Sequence, residues 1–257
     1  FVAHGDEIPS LLETLGSLRE TAFRGVGEGT GLPLDVDRFD ATYHHLILWN
    51  TELKCIWGAY RLGLGHELLT HYGKQGLYLN AFYRIRKELL LFLNQTVEMG
   101  RAFVVPEAQQ KPLPLYLLWR GILALAAQDP TNRRYLMGSV SVSNAYSKHA
   151  QRFLLAFVQT HFWDHHWAAY LKPRKPFRLR LTSSDRAYLE QSTPLDLKSF
   201  DRLLEEIEPG GTKLPILLKK YLGQNARALA FNRDPDFNTV DALLYVDVQT
   251  LPPDPFH

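Results

Sequence analysis

Apolar residues recur at three-to-four spacing over Pro9–Arg24 (Leu11, Leu12, Leu15, Leu18, Ala22), and a leading proline suits a first turn, so the pattern predicts a helix. A glycine-rich stretch over 25–33 then breaks regular structure. Two strand-like runs, 45–49 and 54–62, flank a short polar connection at 50–53 and predict a hairpin. An irregular Gly/His segment follows, then a helix over 81–93 and a strand over 97–105 ended by Pro106. A strongly apolar helix over 115–128 stops at Asp129-Pro130, and 135–142 reads as a strand of small residues. Residues 146–170, rich in Phe, Leu and Trp, predict one long helix. Beyond the basic, proline-containing connector 171–181 come helices over 197–207 and 215–222 and strands over 227–232 and 242–248. That order predicts an α/β architecture on a mixed sheet, with a core over 1–170 and a C-terminal helix/strand extension over 171–257 packed on it.

Composition narrows the classes. The 257 residues are 46% hydrophobic and 22% charged, enough to bury a sizeable core. Lys+Arg 29 against Asp+Glu 27 leaves +2, a balance that argues against a nucleic-acid binder. A single cysteine, Cys55, excludes an internal disulfide framework and any CxxC zinc or redox site, and fits a reducing, cytoplasmic compartment. The longest apolar run, 113–127, is interrupted by Arg120, so no spanning helix is expected. No signal peptide is recognised. The opening Phe-Val-Ala-His, without an initiator methionine, would fit a processed product or a fragment of a longer chain.

Several short motifs occur in a fixed order: LRETAFR (18–24), GEGTG (27–31), DVDRFD (35–40), YHHLILW (43–49), GAYRLG (58–63), EMGRAFV (98–104), LLWRGI (117–122) and GSVSVSNAYS (138–147). LPILLKKYLG (214–223) and FNRDPDF (231–237) extend the series almost to the end of the chain. This series resembles the bacterial ornithine-lipid and amino-acid-lipid N-acyltransferases often labelled hemolysin-like, a GNAT-superfamily branch near the acyl-homoserine-lactone synthases. The resemblance implies a GNAT-like mixed, twisted sheet flanked by helices. It also implies transfer of a fatty acyl group, often 3-hydroxylated, to the amino group of an amino acid such as ornithine or glycine. The implied donor is acyl carrier protein, with acyl-CoA less expected. Some relatives carry an O-acyltransferase domain upstream.

Attack of an amine on a thioester needs a route for one proton and donors for the developing oxyanion, but no metal or organic cofactor. Glu98 and Arg101 would point to opposite faces of a regular strand, and a bulge at Gly100 would bring them together. Their functional reading makes Glu98 the base or amine holder and Arg101 a binder of carboxylate or carrier phosphate. A structural ion pair at a sheet edge is the other reading. Asp35, Asp37 and Asp40 lie in a loop, where turn chemistry is the ordinary role. The spacing Asp37-x-x-Asp40 nevertheless resembles the paired carboxylates that hold the acceptor amine in the lactone synthases. Arg61 matches the family arginine of the second hairpin strand, either steadying those aspartates or binding the acceptor carboxylate, with a surface arginine as the alternative. Arg19 and Arg24 are either solvated helix residues or guards of the acceptor pocket. Superfamily resemblance further implies splayed strands admitting the thioester arm past Ser141 and Ser143. It assigns the amides of Ala102, Phe103 and Val104 to the thioester carbonyl and Tyr146 to the leaving thiolate.

The chain departs from the CoA-using pattern where a glycine-rich pyrophosphate loop is expected. Residues 106–121 read PEAQQKPLPLYLLWRG, in which Pro112 and Pro114 offer no amide. Acyl carrier protein brings one phosphodiester and an acidic surface. Lys111, Arg120, Arg133, Arg134, Lys148 and Arg152 are candidates to meet it, set against a reading as solvated surface. His161 and His165 stand at i, i+4 on the expected long helix, with His44 and His45 elsewhere; no third ligand is evident, and no metal is expected. The aromatic stretch 161–167 and the basic connector fit a peripheral place on an anionic inner-membrane surface. Against the acyltransferase stand a lactone-type signal synthase and a catalytically inert carrier- or membrane-docking module.

Overall fold

A computed structural model describes residues 1–191, 197–208, 213–235 and 237–252. In chain order its elements begin with β1 (Val2–His4), α1 (Pro9–Arg24), β2 (His44–Asn50), β3 (Cys55–Leu64), α2 (Gly65–Tyr72) and β4 (Tyr83–Ile85). They continue with α3 (Leu90–Asn94), β5 (Thr96–Val104), α4 (Pro112–Gln128), β6 (Tyr135–Ser143), α5 (Lys148–Phe162) and α6 (His165–Ala168). The last are β7 (Leu171–Pro173), α7 (Ser183–Gln191), α8 (Leu197–Ile207), α9 (Ile216–Leu222), β8 (Arg227–Asp234) and β9 (Thr239–Asp247). Two compact units result: Phe1–Ala81 with Leu90–Gly138, and Phe82–Leu89 with Ser139–His257.

In the first unit β1, β2, β3 and β5 run antiparallel to their neighbours, and the start of β6 joins β5 in parallel, Thr96 opposite Tyr135 through Met99 opposite Gly138. A parallel pair needs a crossover, which α4 supplies. Side-chain alternation divides the strands between two helices. Ile47 and Ala59 face the cluster that α1 joins through Leu15 and Ala22. Their neighbours Leu46 and Gly58 lie against Gly121 and Leu118 of α4. The sheet is thus mixed and covered by helices, as the sequence pattern predicts.

In the second unit β8 and β9 form a hairpin, from Arg227 opposite Tyr245 to Asp234 opposite Thr239. Tyr83 to Ile85 pair with β7. Phe153 and Phe157 of α5 stack on Phe200 of α8, with ring centroids 5.5 and 3.8 Å apart.

Two expectations are corrected. The helix expected over 81–93 is helical only at its end: Tyr83 and Ile85 are buried with Arg84 exposed between them, a period of two that makes a strand. The helix expected over 146–170 stops at Phe162. Trp163 bridges to Ala228, and the Asp164 carboxylate accepts the Trp167 amide to start α6. Apolar composition hid that break. His161 and His165 therefore sit on two helices, not at i, i+4 on one. Among the described residues no helix is long and apolar enough to cross a membrane, and no cluster of three or more His, Cys, Asp or Glu is placed to hold a metal.

Candidate active site

Two neighbouring charges of α1 are buried, Arg19 and Glu20. Glu20 fastens the glycine-rich loop to the helix. It accepts hydrogen bonds from the Thr30 amide at 3.0 Å, the Thr30 hydroxyl at 2.7 Å and the Gly31 amide at 2.9 Å, and from Arg24 Nε at 2.6 Å. Arg24 then reaches the Leu32 carbonyl at 2.8 Å. Burial pushes the Glu20 carboxyl up, but these donors outweigh it and bring it down to about 2. A lowered carboxyl contributes stability above its ordinary range and loses it as pH falls through the folded value. Glu20→Gln should therefore be less stable than wild type at neutral pH, and the gap should close as pH falls toward about 2. Thermal unfolding over that range checks this.

The loop that Glu20 fastens leads into Asp35, Asp37 and Asp40, which alternate in space with three arginines. Arg19 Nη2 donates to Asp40 Oδ1 at 2.8 Å. Arg61 Nη1 donates to Asp40 Oδ2 at 3.2 Å and to Asp37 Oδ1 at 2.7 Å. Arg101 Nη2 stands 3.5 Å from Asp37 Oδ2, and its Nε forms an ion pair with Asp35 at 3.1 Å. The formal charges of this ladder cancel, which is what permits its burial. Burial raises the Asp40 carboxyl, but Arg61 and Arg19 outweigh it and hold it below the usual range. At Asp35 burial wins over Arg101, Arg19 and Arg61, and the carboxyl is raised. Burial would lower Arg61; Asp37 and Asp40 reverse that and raise it.

Aromatic rings of Tyr78, Tyr43 and Phe39 surround the Arg61 guanidinium at 4.8, 5.4 and 5.8 Å. His45 lies beneath, its Nε2 2.8 Å from the Asp40 carbonyl, and burial lowers its pKa, favouring neutral imidazole.

Exposure is unequal along this ladder. Asp40, Arg61 and Asp35 side chains are 1–3% exposed, whereas Arg101 reaches 13% and Asp37 28%. One acidic and one basic group thus meet solvent side by side.

Glu98 and Arg101 do share a side of β5. Register slips between Ala59 and Arg61 of β3, so that Tyr60 faces two β5 residues, and Arg101 adopts φ 50°. The expected bulge is present, with its left-handed backbone on Arg101 instead of Gly100. A non-glycine residue there is strained, a feature that clusters at functional sites. Their surroundings differ, however. Glu98 is buried, and its carboxylate accepts from the Tyr43 hydroxyl at 2.7 Å and the Tyr78 and Leu79 amides at 3.1 and 2.6 Å. Burial raises its pKa despite those donors. Arg101 Nη1 meets the Tyr78 hydroxyl at 3.2 Å. Gly63 makes room for the Tyr43 ring that reaches Glu98: a Cβ there would lie 2.4 Å from it.

The remaining expected residues are dispersed. Ala102 and Val104 are half-buried and Phe103 is buried, on the part of β5 beyond its pairing with β6. Lys111 lies over the Trp57 ring at 4.7 Å, Arg120 meets the Tyr116 hydroxyl at 3.1 Å, Arg133 the Leu125 carbonyl at 2.9 Å, and Arg134 the Tyr135 ring at 4.9 Å. Tyr146, Ser141, Ser143, Lys148 and Arg152 belong to the second unit. There the Tyr146 hydroxyl donates to the Lys213 carbonyl, and burial, with Glu208 and Asp201, pushes it up to about 12. Ser141 meets Asp241 at 3.1 Å, and Ser143 accepts the Ala145 amide at 3.1 Å. Sequence reasoning missed Tyr43, Tyr78 and Glu20. Tyr78 lies in the irregular Gly/His segment, where no periodicity marks it.

Residues 18–119 match the family model described as an acetyltransferase (GNAT) domain. The chain is 30% identical over 235 residues to a glycine N(alpha)-acyltransferase of Phocaeicola vulgatus, covering 86% of this chain and 70% of that protein. It is 31% identical over 226 residues to a glycine N(alpha)-acyltransferase of Bacteroides thetaiotaomicron, covering 83% and 66% respectively. A solved structure of BjaI, a CoA-dependent acyl-homoserine lactone synthase, is similar at 12% identity with a TM-score of 0.45, covering 97% of this chain and 84% of that one.

Proposed function

Because the chain belongs to the GNAT family of N-acyltransferases, we propose that it joins a fatty acyl group to the α-amino group of glycine, with acyl carrier protein as donor. The observation that carries this reading is the solvent-reaching end of the charge ladder. Asp37 and Arg101, 3.5 Å apart, form a cation site next to an anion site, complementary to a small zwitterion. Glycine would exchange into that pair, its ammonium on Asp37 and its carboxylate on Arg101.

Acyl transfer then follows from charge. Asp37 takes one ammonium proton, and the freed amine attacks the thioester carbonyl. The tetrahedral oxyanion needs N–H donors, for which the amides of Ala102 to Val104 are the candidates. The attack itself forms the C–N bond; collapse of the intermediate re-forms the carbonyl and breaks C–S, and the amine's second proton leaves with the thiolate as thiol. Glu98 is assigned a positioning role, because its oxygens are occupied by Tyr43, Tyr78 and Leu79. It sets the Tyr78 ring against which Arg101 rests.

A carrier-protein donor is favoured by the start of α4. Pro112 is its first residue and Pro114 lies in its first turn, so amides that would cradle a diphosphate are missing. Lys111, Arg120, Arg133 and Arg134 supply positive charge in the same unit.

The test offers the purified protein acyl- and 3-hydroxyacyl-carrier proteins or the matching acyl-CoA, with a panel of amino acids including ornithine. The expected product by mass is N-acylglycine, formed faster from the carrier protein and more slowly as salt rises. Preference for CoA overturns the donor; preference for ornithine overturns the acceptor.

A further inference from the structure

The second unit contains a cleft of about 560 Å³, inside the roughly 300–1,000 Å³ range of small-molecule sites. It runs along the outer edge of β8, which is pinned at two places. At one, the Asp164 amide donates to the Ala228 carbonyl at 2.9 Å. At the other, the connector lies beside the strand: the Phe177 amide donates to the Phe231 carbonyl at 3.2 Å, and the Arg233 amide to the Lys175 carbonyl at 2.8 Å. Between the pins β8 bulges at Leu229. Leu171, Trp163, Leu229 and Phe231 give the cleft apolar walls, and Arg178 and Arg180 stand at its side.

The charges there are one-sided. Among the described residues no carboxylate lines the cleft, and neither exposed guanidinium has an ion-pair partner. The connector 171–181 holds five Lys or Arg and no Asp or Glu. Apolar walls with a cationic side select against sugars and cations, and match a hydrocarbon chain ending in an anion.

We propose that this cleft binds the chain of a single-chain amphiphilic carboxylate, with its head on Arg178 and Arg180. The proposal does not depend on acyl transfer, because its test reads binding, not turnover.

Trp163 supplies the probe. A bromine-substituted long-chain carboxylate, kept below its micelle-forming concentration, is titrated into the whole chain while tryptophan fluorescence is followed. The expected result is saturable quenching whose largest part disappears in Trp163→Phe. Arg178→Ala with Arg180→Ala, both at exposed positions, should weaken binding by about tenfold or more, as expected for lost charge-assisted contacts. The same chain with an ammonium head should bind weakly. Circular dichroism matched to wild type verifies that the variants fold. No quenching, quenching undiminished in Trp163→Phe, equal affinity for the ammonium head, or unchanged affinity in the arginine variant would each overturn the proposal. So would quenching seen only with anionic phospholipid vesicles carrying brominated chains, which would point to a membrane surface instead.

Discussion

Arg61→Met is expected to destabilise the protein by about 3–5 kcal/mol, the cost of removing one partner from a buried ion pair. Arg61 is shared between Asp37 and Asp40, and Asp40 is 1% exposed. Without Arg61 the ladder carries an uncompensated negative charge, and Asp40 keeps Arg19 as its one guanidinium beside the Asp37 amide at 2.8 Å. Three surrounding rings also lose the cation they enclose. Arg61→Lys should recover only part of the loss, because an ammonium is a point charge without the guanidinium's planar fork. The deficit of Arg61→Met should shrink in acid. Asp40 freed from Arg61 is governed by burial, so protonation relieves the variant at a pH where wild type still benefits from the charged form. Urea unfolding at neutral and acidic pH reads both effects. A midpoint equal to wild type at neutral pH would mean that the ladder is not buried as described.

The second large effect falls on turnover. Asp37→Asn should lower kcat/KM for glycine acylation by about 10²–10⁴, the usual loss when a proton acceptor is removed. Its stability should change much less than that of Arg61→Met, because Asp37 is the most exposed group of the ladder. The amide oxygen of asparagine still accepts the Phe39 amide that Asp37 Oδ1 now holds at 2.8 Å. Glu98→Gln provides the contrast: it acts through Tyr78, so it should alter the KM for glycine and the protein's stability while leaving the pH profile of kcat unmoved. Near-wild-type turnover in Asp37→Asn would remove that carboxylate from the reaction.

Much of this was legible before the structure. Periodicity alone marks α1, whose Leu15 and Ala22 face the sheet, and alternation marks the β2–β3 hairpin. The aspartates of 35–40 stand out as carboxylates in a loop. What one-dimensional reading cannot supply is their pairing: Arg19 and Asp40 are 21 positions apart, Arg61 and Asp37 24, Arg101 and Asp37 64. Such contacts exist only after the sheet has formed. The difference between Asp37 and Asp40 is likewise one of burial, and their shared residue type conceals it. The sequence marks Glu98 as a candidate base or amine holder because a carboxylate near an arginine suits either task. Its actual surroundings depend on Tyr43 crossing Gly63 and on two amides of the segment 77–79, whose sequence has no regular period. The bulge was legible from Gly100, but the residue that bears the positive φ was not. Around 163 large aromatic residues continue on both sides of the break, at Phe162, Trp163 and Trp167, while hydrogen bonds to β8 decide where the helix ends.

The claim that glycine lies across Asp37 and Arg101 is tested most directly by competition between glycine and glycinamide, which lacks the carboxylate. The ratio of their kcat/KM values should favour glycine by about 10²-fold in wild type, the scale of one charge-assisted pair, and fall toward unity in Arg101→Ala. A ratio that is the same in wild type and variant would contradict it.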